Sequence, residues 1–291
     1  MVFWGFWEYL RIDSLFLFCE LFYEGTEEWM ARSRCNVLKR FSWRAKSAGR
    51  KANRLARFAA LLGALVALGI HGDEDCVLLR NTGLPLVVLD YDTELLGIDC
   101  AVLDNYRTMY DLGRWLMAED PAEVFLVSME RLSRDDPALL KRRTALEKAM
   151  AEADRRLRPG NIISMVPNDD PTDAEDRERL TPVWQAARQG GRRTAVVSED
   201  EYLVSRICTT LLDLGLEPGR DFLLAYVGPE DMPDELLPHP AFIGAYDYHE
   251  LGRLGTGLLE RRIKTGPGRP VKAVVTGAVR EYFPAGRRSR S

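Results

Sequence analysis

The sequence predicts an α/β protein of two lobes, each a parallel β-sheet flanked by helices, and three observations carry that expectation. Short runs rich in Val, Ile, Leu and Ala alternate with longer amphipathic stretches, the rhythm of strands joined by crossover helices. The strand candidates, such as VVLD at 87–90 and TAVVS at 194–198, are apolar almost throughout, as strands covered on both faces must be. The 291 residues also exceed the roughly 100–200 of one ordinary domain, which suits two lobes.

Taken in order, Val2–Phe6 reads as a first strand, followed by a polar loop through Arg11 and Asp13. Ser14 offers a side-chain oxygen to cap a helix over 15–31. A second strand is expected over 36–43, then a helix ending near Gly63 and a third strand over 64–70. A short helix near 75–81 leads through Thr82 and Gly83 into a strand at 84–92. The run 97–105 is the next strand, and Asp104 or Asn105 is placed to cap a helix over 106–120. The alternation continues with strand 123–129, helix 137–156, strand 161–167, helix 173–189, strand 194–200 and helix 201–214. Three strands follow, over 222–228, 241–246 and 271–279, with a helix at 249–263 before the last.

Composition narrows the function. Forty basic against 44 acidic residues, a net charge of -4, give no global attraction to nucleic acid or membrane. The apolar start is interrupted by Glu8, Arg11, Asp13 and Glu20, so neither an export signal nor a membrane anchor is read there. The five cysteines form no CxxC pair and read as buried apolar groups in a reducing, cytoplasmic setting. His71, His239 and His249 have no metal-ligand spacing. Phosphate-binding glycine loops and nucleophile elbows are absent, and no metal, cofactor or catalytic group is expected. One basic run, from Lys39 to Arg57, could track phosphates; a solvated helix face, with Leu55, Phe58 and Leu61 turned inward, is the preferred reading.

An ordered series of motifs then points to a family. LPLVVLDYD, GIDCAVLDNYRTMYDLGRWLMAE with Asp104 and Asn105, and EVFLVSM are followed by RRTALEKAM, with Arg142 at an arginine position and Ala145 where glycine is usual. The stretch 194–228 supplies a strand, the acidic pair Glu199–Asp200, a helix and the connector Leu214, Gly215, Leu216, Pro218, Asp221; Pro240, Glu250, Leu251 and Gly252 complete the set. This order, from about Leu84 to Ala278, resembles the lac repressor (LacI/GalR) family of transcriptional regulators in its effector-binding domain. The resemblance implies a periplasmic-binding-protein-like type I fold with two Rossmann-like lobes: 1–105 mainly the N-terminal lobe, 106–240 mainly the C-terminal lobe, and 241–291 a hinge-crossing return segment and basic tail. It also implies a small polar ligand such as a carbohydrate, lobe closure on binding and a homodimer. The family's amino-terminal helix-turn-helix finds no match here, so DNA binding is expected only if such a segment is supplied. A solute-binding protein or stand-alone binding module is the alternative.

Carried across position by position, the resemblance implies ligand contacts at Trp7, Arg11 and Asp13 after the first strand, and at Arg107, Arg142, Glu199, Asp200 and Tyr246. These residue types suit a polyol or sugar acid: guanidinium forks donate, carboxylates accept from hydroxyls, and aromatic faces stack on the apolar side of a sugar ring. Each has a plainer reading. Arg142 lies in a Lys-Arg-Arg run fit for a solvated helix face, Trp7 and Tyr246 suit a core, Asp104 and Asn105 suit caps, and Glu199 with Asp200 suits the start of a helix. Glu199 stands where the family has asparagine, Gly228 where it often has aspartate, and Phe242 and Ile243 where it has threonines, so a conventional neutral sugar is not a given.

Overall fold

The computed structural model describes residues 16–17, 65–68, 72–129, 136–165, 173–189, 191–229 and 241–282. The strands read over 2–6 and 36–43 and the basic run 39–57 lie outside these residues. The described chain forms two compact units. Unit 1 takes the residues up to Leu103 and Tyr248–Val275; unit 2 takes Asp104–Asp247 and the residues from Thr276 on.

Unit 1 is built on a five-stranded sheet of β1 (Phe16–Leu17), β2 (Leu65–Leu68), β3 (Leu86–Leu89), β4 (Asp99–Leu103) and β10 (Lys272–Val275), in that order. The β2–β3, β3–β4 and β4–β10 pairs are parallel. β1 departs from expectation, pairing antiparallel with β2 where the sequence pattern predicts a helix, with Phe16 opposite Leu68. A short apolar run is compatible with either element, and pairing to an existing edge decides it here. Helix α1 (Asp73–Arg80) packs Cys76 and Leu79 against Leu86, Val88 and Cys100. Asp99, 1% exposed, is held by Arg262 through two hydrogen bonds of 2.7 and 2.5 Å and accepts the Val271 amide at 2.7 Å. One buried carboxylate thereby ties β4 to the chain entering β10.

Unit 2 holds a six-stranded sheet in the order β11 (Ala278–Tyr282), β9 (Ala241–Tyr246), β8 (Phe222–Pro229), β7 (Thr194–Ser198), β5 (Val124–Met129), β6 (Ile162–Met165). All neighbours are parallel except β11, which runs antiparallel to β9. The sequence reads 271–279 as one strand; the backbone breaks it at Thr276–Gly277, and the two pieces join different sheets. Helices α4 (Asp173–Gln189) and α5 (Tyr202–Asp213) cover one face, burying Leu180, Val183, Leu203 and Ile207 against Phe125, Val196 and Leu224. Asp176 and Arg206, paired at 2.6 and 3.0 Å, join these helices.

The opposite face carries α2 (Asn105–Ala118) and α3 (Pro137–Glu152). Both start on an aspartate: Asp104 accepts from the Arg107 amide at 3.0 Å, and Asp136, with Pro137 at the first helical position, accepts from the Ala138 amide at 2.8 Å. Met109, Leu112 and Leu116 of α2 and Ala145, Leu146 and Ala149 of α3 are fully or almost fully buried. The remaining helix, α6 (Tyr248–Thr265), belongs to unit 1 and lies so close to β3 that a Cβ on Gly255 would fall 2.3 Å from Leu89.

Candidate functional site

Crossover connections in a parallel sheet leave the carboxyl ends of the strands on one edge, where the strand-to-helix loops gather. In unit 2 that edge holds a cluster of buried polar groups. Parallel pairing of β5 with β7 places Val127 beside Ser198, so the next residues, Ser128 and Glu199, lie side by side and point toward α2 and α3. Alternation along β9 turns Tyr246 the same way, since Ala241, Ile243 and Ala245 pack on the other face. Asn105 begins α2, and Arg142 lies one turn into α3.

Arg142 is the centre of the cluster. It is 8% exposed; its Nε donates to Asn105 Oδ1 at 2.7 Å and its Nη1 donates to the Glu199 backbone carbonyl. Asn105 Oδ1 also accepts from the Tyr246 hydroxyl at 3.4 Å. Glu199 is 2% exposed, its amide donates to the Val127 carbonyl at 3.1 Å, and its carboxyl makes no ion pair among the described residues. Burial pushes that carboxyl up from an ordinary 4.5 to about 7; the Ser128 hydroxyl and the charges of Arg142 and Arg143 oppose the rise, and Asp200 adds to it. A carboxyl poised near neutrality can accept a hydrogen bond when ionised and donate one when protonated.

The described candidates do not all gather here. Arg142 and Tyr246 meet at Asn105, Arg142 reaches on to the Glu199 carbonyl, and Asp200 follows Glu199, half-buried, its backbone carbonyl accepting from the Ser198 hydroxyl at 2.6 Å. Arg107 lies on the exposed side of α2, its guanidinium pairing with Asp111 at 2.7 Å, which holds its pKa above the ordinary arginine value. Trp7, Arg11 and Asp13 lie outside the described residues. Asn105 and Ser128 also lie in the cluster, and the family resemblance implies neither as a ligand contact. Asn105 was legible as a capping residue, but Asp104 takes that role and leaves Asn105 to turn inward; Ser128 is simply one polar residue in an apolar strand. At Gly228, where the family often has aspartate, an added Cβ would meet Glu201 and Tyr226 at 3.0 Å, so a side chain there is tightly confined.

Among the described residues, no group of three or more His, Cys, Asp or Glu side chains is arranged to hold a metal, and no helix is long and apolar enough to cross a membrane.

No family model matches the chain, and no curated protein matches it in sequence. Solved structures match it over most of its length. A probable maltose operon repressor, MalR, from Staphylococcus aureus is 13% identical with a TM-score of 0.66, over 83% of both chains. A LacI family transcriptional regulator from Mycobacterium smegmatis is 15% identical with a TM-score of 0.64, over 89% of this chain and 92% of that one. The regulator CelR in complex with cellobiose is 17% identical with a TM-score of 0.62, over 82% of this chain and 71% of its own. The chain therefore has the α/β fold of these regulators.

Proposed function

We propose that this chain is the effector-sensing part of a LacI-type transcriptional regulator, and that the Asn105–Arg142–Glu199–Tyr246 cluster contacts a small polar effector, most simply a sugar or sugar derivative. The observation that carries the reading is the cluster itself: a buried guanidinium beside a buried carboxyl that makes no ion pair among the described residues, on the carboxyl edge of a parallel sheet, in a fold shared with regulators. A guanidinium and a near-neutral carboxyl offer donors and acceptors together, the complement of vicinal hydroxyls, and the cellobiose held by one structural neighbour belongs to that class.

Sensing requires the effector to bind one arrangement of the two units better than another; affinity alone shifts nothing. Closure of the units about the effector would change how a homodimer presents DNA-binding segments, which a helix-turn-helix beyond the matched region would supply. No chemical step is assigned to the cluster.

The test is a thermal-shift screen of the whole chain against pentoses, hexoses, disaccharides including cellobiose, sugar acids and polyols. A ligand bound only by the folded state, at a hundred times its Kd, stabilises by about 2.7 kcal/mol. A saturable shift with one class, abolished in Arg142→Met, supports the reading; no shift with any class contradicts it.

A further inference from the structure

The chain passes between the two units after Leu103, after Asp247 and after Val275. Within unit 2, the first turn of α2 touches the residues beside each of these points. Asn105 lies just beyond the first. Its Oδ1 accepts from the hydroxyl of Tyr246, which lies just before the second. Thr108, 0% exposed, accepts with its Oγ1 the amide of Gly277 at 2.9 Å, and Gly277 lies just beyond the third. The fit at Gly277 is close: an added Cβ would lie 2.6 Å from Thr108 Cγ2 and 2.8 Å from the Ala245 carbonyl. Thr108 is itself fixed, its amide donating to the Asp104 carbonyl at 3.0 Å.

The same turn holds Arg142, because Asn105 Oδ1 receives Arg142 Nε at 2.7 Å. A carboxamide oxygen has two acceptor positions, so Asn105 serves Arg142 and Tyr246 together. If Arg142 shifts, either the buried Asn105 oxygen gives up one of its two donors or Asn105 follows, and Asn105 and Thr108 move as one rigid helical turn.

We infer that Asn105 and Thr108 are positioning residues: Asn105 orients Arg142 for the effector, and the turn it shares with Thr108 couples the position of Arg142 to the segments through which the chain passes between units. This rests on the reading that Arg142 contacts the effector. The coupling itself is a property of the unliganded protein and is tested there.

Hydrogen exchange resolved to single amides, on the full chain without ligand, reads the Gly277 amide against that of Leu224 in β8, so that general loosening of the fold cancels in the ratio. Thr108→Val removes the acceptor and is expected to speed Gly277 exchange about tenfold relative to Leu224, while Thr108→Ser, which keeps the hydroxyl, restores the wild-type ratio. Asn105→Ala and Arg142→Met, which leave the Thr108 acceptor itself in place, are expected to raise the ratio severalfold, and Asn105→Asp, which keeps the acceptor for Arg142, to restore it. An unchanged ratio in Arg142→Met and Asn105→Ala overturns the coupling, as does an unchanged ratio in Thr108→Val. Because no ligand is present, this result is independent of the sugar screen: the coupling can fail while the effector reading stands, and the reverse.

Discussion

Glu199→Gln should stabilise the protein, and by an amount that grows with pH. Holding the folded-state carboxyl at about 7 against an ordinary 4.5 means the folded chain keeps a proton that the unfolded chain has already released. Stability therefore falls as pH rises from about 4.5 to about 7, and the whole penalty stands above that window. Its size is about 1 kcal/mol at pH 5 and about 3 kcal/mol at pH 8. Glutamine matches the shape and carries no charge to desolvate, so the penalty disappears in the variant. For a unit of this size each kcal/mol is worth roughly 2–4 °C in melting temperature, so the variant should melt roughly 6–12 °C higher at pH 8 and only a few degrees higher at pH 5. Differential scanning calorimetry of both proteins across that range measures it. An equal difference at pH 5 and pH 8, or a destabilised variant at pH 8, would refute the argument that burial holds the Glu199 carboxyl up.

Other parts of the molecule give further expectations. Gly277→Ala should destabilise by roughly 1–3 kcal/mol, because its Cβ would lie 2.6 and 2.8 Å from Thr108 and the Ala245 carbonyl, whereas Gly257→Ala, with nothing within 4 Å of the new methyl, should stabilise α6 by roughly 0.5–1 kcal/mol. Chemical denaturation of the two variants should move the midpoint in opposite directions. Asp99→Ala leaves Arg262, 11% exposed at its side chain, without its buried partner and should cost roughly 3–5 kcal/mol; a loss below about 1 kcal/mol in the same experiment would show that Arg262 finds other compensation.

Much of unit 2 was legible because its local signals agree. The helix expected over 173–189 is found over those residues, and 137–156 contains α3. The alternation of apolar runs with amphipathic stretches predicts strands at β2 to β9 and their parallel sense, but not which strand neighbours which. Where a strand's identity depended on a partner far along the chain, sequence pattern was silent: nothing in VKAVVTGAV marks the residues at which it leaves one sheet for the other, and Phe16–Leu17 is a strand only because β2 offers an edge. The site divides in the same way. Arg142 sits in a Lys-Arg-Arg run that looks solvated, and only the family resemblance singles it out; its burial is made possible by Asn105 and by the Glu199 carbonyl, partners 37 and 57 residues distant. Arg107, equally suggestive by type, pairs instead with Asp111 one turn along its own helix.

The most direct test of the central claim is a crystal structure of the chain with whichever carbohydrate stabilises it most in the thermal screen. The account predicts effector oxygens within hydrogen-bond distance of Arg142 and the Glu199 carboxyl, on the carboxyl edge of the unit 2 sheet. A sugar seated away from these two residues, or a chain that no carbohydrate stabilises, would contradict it.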